Sequence, residues 1–111
     1  MKTKITDKYT VLIDEREDAA NFAQFLERIV PEKFEHCNLI IDLNKYKALE
    51  LSQLLEFLKL SNYHRSTKHS FVIVNNAINV DDIPYEMTVV PSLQEAMDIV
   101  EMEEIERDLG F

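Results

Sequence analysis

The residues able to do chemistry in this chain are few: His36-Cys37, His64, His69, the carboxylates Asp81, Asp82 and Glu86, and the hydroxyl of Ser52. Adjacent residues on a strand point to opposite faces, so His36 and Cys37, lying just ahead of a strand, are badly placed to chelate one ion. No CxxC or HxxxH spacing adds a second pair. A Cys37 nucleophile would need one of the three histidines as its base, a convergence that only folding could bring about. Asp81, Asp82 and Glu86 could hold a cation weakly but read as a solvated loop. Phosphate-cradling loops need several glycines, and the chain has one, so Rossmann and P-loop nucleotide sites are excluded. Tyr46, Tyr63 and Tyr85 have no pattern with basic residues and form no stacking platform for bases. The expectation is a chain without metal, cofactor or catalytic set.

Asn38 to Leu43 and Ser70 to Asn75 are continuous apolar, β-branched runs, each the signature of a strand covered on both faces. Helical spacing follows the first, from Leu51 to Arg65. The loop from Asn44 to Glu50 then lies at the carboxyl end of a central strand, where open α/β sheets place working residues. Upstream, Lys2 to Thr6 and Tyr9 to Ile13 read as an antiparallel hairpin around Asp7-Lys8. Asp14 to Asp18 supplies caps for a helix carrying Phe22, Phe25, Leu26 and Ile29 on one face, ended by Pro31. Downstream, Asn76 to Glu86 is irregular and Met87 to Val90 is a last strand. Ser92 and Glu95 form a capping box for a helix that runs to about Asp108, with Gly110 as terminator. The order is ββαβαββα, a single α/β domain over residues 1–111.

With 111 residues and 46% apolar content, the chain can bury a core without staples. A lone cysteine gives no internal disulfide and no apolar run approaches the roughly 20 residues a bilayer requires, so a cytoplasmic setting without membrane insertion is expected. Ten acids stand against Arg107 alone from Asp81 to Phe111, a net charge of −9, whereas the earlier residues balance. That surface repels phosphate backbones, which argues against nucleic acid and favours a basic protein partner if it binds one.

Two helices carry more than one apolar stripe. In the last, Leu93, Ala96, Met97 and Val100 form one stripe for the sheet, and Ile99, Met102, Ile105 and Leu109 form a second on about the opposite side, free for another copy of the chain or another protein. In the middle helix, Leu51, Leu54, Leu55 and Leu58 are expected to face the core. Phe57, Leu60 and His64 then lie on another face as a possible binding patch.

The order of elements, with Leu39-Ile-Ile-Asp42-Leu43 leading through a loop into a helix, resembles the STAS domain family of sulfate-transporter and anti-sigma-factor-antagonist domains. The resemblance implies a STAS-like mixed sheet of four to five strands and a non-catalytic, protein-binding regulatory function. In that family the loop carries an Asp-Ser-Ser-Gly-like motif whose second serine is phosphorylated. Here the corresponding residues are Glu50-Leu51-Ser52-Gln53, so the resemblance points to Ser52 as the phosphorylation site and to Glu50 as part of the partner surface. The last residues, Glu101 to Phe111, are also similar to the ends of small bacterial proteins that carry a ribonuclease Z label, which makes a small hydrolase or ribonuclease-associated protein the alternative. That nuclease class needs a His-x-His-x-Asp-His cluster, which this chain lacks. A purely structural homodimer through the last helix is the third reading. A binding module should lack a buried polar cluster or concave pocket at the end of the Asn38 to Leu43 strand.

Overall fold

Short runs of Val, Ile and Leu make strands because β-branched side chains are stiff at χ1 and pack well on a pleated surface. In a computed structural model, which describes residues 1–110, such runs form β2 (Thr10–Ile13), β3 (Leu39–Asp42), β4 (Phe71–Val74) and β5 (Thr88–Val90), preceded by β1 (Lys2–Ile5). The strands lie side by side in chain order, β1-β2-β3-β4-β5. β1 runs antiparallel to β2, and the others are parallel. The two continuous apolar runs are neighbours pointing the same way, with Leu39 opposite Phe71 and Ile41 opposite Ile73. Thr6 and Tyr9 close the β1–β2 turn, the Thr6 amide donating to the Tyr9 carbonyl at 2.9 Å.

Side chains alternate across a strand, so each central strand feeds two cores. Leu12, Leu39, Ile41, Phe71 and Ile73 pack on one side beneath α1 (Ala19–Ile29), α2 (Leu51–Leu55) and α3 (Leu58–Ser66). Val11, Ile40, Val72 and Val74 pack on the other beneath Ala96 and Val100 of α4 (Leu93–Asp108). The result is three layers, helices–sheet–helix.

Local signals account for most helix starts. Asp18 caps α1 by accepting from the Asn21 amide at 3.1 Å, and Ser92 caps α4 by accepting from the Glu95 amide at 3.2 Å. α1 stops at Ile29, ahead of Pro31, and passes into a π-helical turn over Val30–Phe34. The middle helix departs from expectation: it is broken into α2 and α3 around Glu56 and Phe57, where the Phe57 amide bonds back to the Leu54 carbonyl at 3.0 Å. Among the described residues, no helix is long and apolar enough to cross a membrane.

Candidate functional site

The carboxyl edge of the parallel strands is where an α/β sheet offers loops to a ligand, and asparagines occupy it here. Asn75, buried at the end of β4, donates to the Leu43 carbonyl at 2.8 Å and the Tyr46 carbonyl at 3.0 Å. Its Oδ1 accepts from the Ala77 and Ile78 amides. Asn44 accepts from the Asn76 amide at 2.9 Å and donates to the Pro91 carbonyl at 3.2 Å. These bonds staple the loops after β3, β4 and β5 to one another. A ligand crevice in such sheets opens where strand order reverses. Strands that follow in chain order give no such reversal.

Beside the staples is a polar cluster built on the buried Asp14, with Tyr46 half-buried and Lys45 exposed, that no local spacing in the sequence announces. Asp14, at the end of β2, accepts from the Arg16 amide through Oδ1 and from the Tyr46 hydroxyl through Oδ2. The Lys45 ammonium donates to the carbonyls of Asp14 and Arg16 and lies 5.6 Å from the centre of the Tyr46 ring. Burial first, then the bond to Asp14 and its charge, push the Tyr46 hydroxyl well above the ordinary phenol range. Tyr46 therefore stays a phenol and acts as a donor. Each group in the cluster is engaged with another or with backbone, so it latches the β3–α2 loop to the β2–α1 loop.

A concavity of about 590 Å³ adjoins the latch, lined by Asp14, Arg16, Asp18, Phe22, Phe25 and Arg28 among others. A smaller one of about 350 Å³ includes Lys45, Tyr46 and Gln53. The concavities are a departure from what a binding module was expected to show at this edge, whereas the polar cluster is buried only at Asp14. Among the described residues, no group of three or more His, Cys, Asp and Glu is placed to hold a metal ion. Asp81 and Asp82 are exposed in a 3-10 turn that Asn79 caps by accepting from the Asp81 amide at 3.0 Å.

The start of α2 carries the two residues singled out by the family resemblance. Glu50 is exposed, and its amide donates to Gln53 Oε1 at 2.8 Å, so Gln53 supplies the reciprocal bond at this helix start. The Glu-x-x-Gln spacing was the signal for it. Ser52 is exposed. On the same helix Leu51 and Leu55, expected in the core, are 37% and 40% exposed.

The expected outer patch of the middle helix is interior instead. Phe57, Leu60 and His64 are buried, with Phe57 edge-on to Phe22 at 6.3 Å between ring centres. Phe57 and Leu60 join the core with Leu54, and none of the three patch residues is presented to a partner. The stripe of Leu54, Phe57, Leu60 and His64 wins because it carries the larger ring, which fills space under α1 that a leucine would leave partly empty.

The last helix keeps its second stripe in part. Ile99 is half-buried against the core beneath α4, which corrects its assignment to the outer stripe. Met102, Ile105 and Leu109 are 49%, 54% and 67% exposed. The inner face of the same half is polar. Glu103 pairs with Arg65 at 3.1 Å, and Arg65 also donates to the Phe71 carbonyl and the Thr88 hydroxyl. Asn38 donates to Glu104 at 2.6 Å and to the Lys8 carbonyl, and accepts from the Ser70 amide and from Arg107. These side chains clamp the second half of α4 to the amino ends of the strands.

The fold and its surface thus define a three-layer α/β domain with a mixed sheet and two exposed apolar helix faces, one on α2 and one on α4. No protein-family model matches the chain, and no curated protein does.

Proposed function

We propose that this chain is a non-catalytic protein-binding module, STAS-like in its regulatory role, that receives a partner at the start of α2. The observation that carries this reading is the exposure of Leu51 and Leu55, one helical turn apart beside Glu50 and Ser52, on a helix whose other apolar face is already in the core. Exposed leucines at i and i+4 add contact area that can be desolvated by a partner at little conformational cost. Leu54, buried in the core, holds α2 in place, which reduces the ordering cost of binding. Ser52 lies next to these leucines. A phosphate there would add roughly two negative charges to an apolar contact and release the partner.

Affinity capture from the native organism tests the reading, with wild type beside a Leu51→Glu/Leu55→Glu variant. The variant should melt within a few degrees of wild type and lose a partner that wild type retains. Identical partner sets from the two proteins would overturn the proposal.

A further inference from the structure

The outer face of α4 is a separate surface. At 100° per residue, Met102, Ile105 and Leu109 span an arc of about 60°, the i, i+3, i+7 spacing of a helix that packs on another helix. They are not needed to hold α4 in place. Ala96 and Val100 bury against the sheet, and Glu103, Glu104 and Arg107 turn inward to Arg65, Asn38 and Ser70. Acids border the stripe on both sides: Glu101 and Asp108 along one edge and Glu106 along the other, all exposed. The one base of this helix, Arg107, is spent inward, 3.2 Å from Asn38 Oδ1 and 3.3 Å from Ser70 Oγ.

We infer that this face docks a basic amphipathic helix of another protein, its apolar residues on Met102, Ile105 and Leu109 and its lysines or arginines against the bordering acids. Charge selects the occupant. A second copy would meet this face with the same face, because a two-fold contact is self-complementary, and would set acids against acids with no base between them. An anionic membrane or nucleic acid is repelled for the same reason. The unbranched side chain of Met102 adapts to varied partner surfaces, as methionines do in grooves that take amphipathic helices.

A labelled synthetic peptide with leucine and lysine at amphipathic helical spacing is the probe, with a scrambled peptide of identical composition and a leucine–glutamate counterpart as controls. Fluorescence anisotropy with the full chain should show micromolar binding of the amphipathic lysine peptide, at least tenfold weaker binding of both controls, and weakening as salt rises. Met102→Ser/Ile105→Ser, which preserves charge, should lose at least tenfold in affinity at unchanged melting temperature. Glu101→Lys/Glu106→Lys should lose as much. Equal binding of the scrambled peptide, or full affinity in the Met102→Ser/Ile105→Ser variant, would reduce the effect to nonspecific charge and overturn the inference. So would a dimer of the chain alone, seen by light scattering, that this variant dissolves, since the occupant would then be a second copy. Failure here leaves the α2 face untouched, because both pairs of substitutions lie on α4 and the Leu51/Leu55 pair lies on α2.

Discussion

His64 shows how burial sets the behaviour of a single side chain. Its ring is fully buried, Nε2–H donates to the Cys37 carbonyl at 2.6 Å, and Nδ1 has no partner among the described residues. The His69 ring is 5.9 Å away and itself sits 6.4 Å from that of His36, while Arg65 and Glu35 are the nearby charges. Desolvation outweighs the Cys37 bond and holds the imidazole below its ordinary range. The unfolded chain therefore takes up this proton more readily than the folded one. The contribution to stability is complete above the ordinary histidine value of about 6.5 and is lost as pH falls from there towards the lower folded-state value, at up to about 1.4 kcal/mol per pH unit. Urea unfolding from pH 7.5 to 5 should show that decline, and a His64→Gln variant should show a shallower one. Equal slopes would mean that His64 does not carry the effect.

Between elements, the middle helix carries two apolar stripes that compete for the core. Leu51, Leu54, Leu55 and Leu58 make one apolar stripe and Phe57, Leu60 and His64 another, so the pattern of apolar residues alone does not say which turns inward, and of the first stripe Leu54 is the one fully buried beside Phe57 and Leu60. Phe57 settles it by packing against Phe22 across the α1 interface. Truncating it leaves a cavity, so Phe57→Ala should cost about 3–5 kcal/mol, while Leu55→Ala at an exposed site should cost under about 1 kcal/mol. Urea midpoints of the two variants decide it; similar values would contradict the interior placement of Phe57. The break between α2 and α3 contains neither Gly nor Pro, so no local residue announced it. By contrast the caps at Asp18 and Ser92 and the exposed Met102, Ile105 and Leu109 of α4 were legible, because each depends only on residues within a few positions along the chain.

At the scale of the molecule, β3 and β4 lie in the middle of the sheet with helices on both faces, and β1 is an exposed antiparallel edge. Amide hydrogen exchange should be slowest at Ile40, Ile41, Val72 and Ile73, whose side chains are all buried, and faster by orders of magnitude along Lys2–Ile5. Equal protection of β1 and β4 would contradict the layered arrangement. The chain's whole net charge falls after Val80, and the structure gathers much of it on the outside of α4.

The amino-acid sequence by itself determined the α/β class, the two central strands, most helix starts and the acidic last quarter, since propensity, capping and charge act between near neighbours. Only the tertiary structure decided which stripe of the middle helix is buried, that Ile99 belongs to the inner side of α4, and that Asp14, Lys45 and Tyr46 meet in one latch and the three histidines in one cluster. Those outcomes rest on side-chain volume and hydrogen-bond partners supplied from 27 to 35 residues away, which no local window of sequence contains.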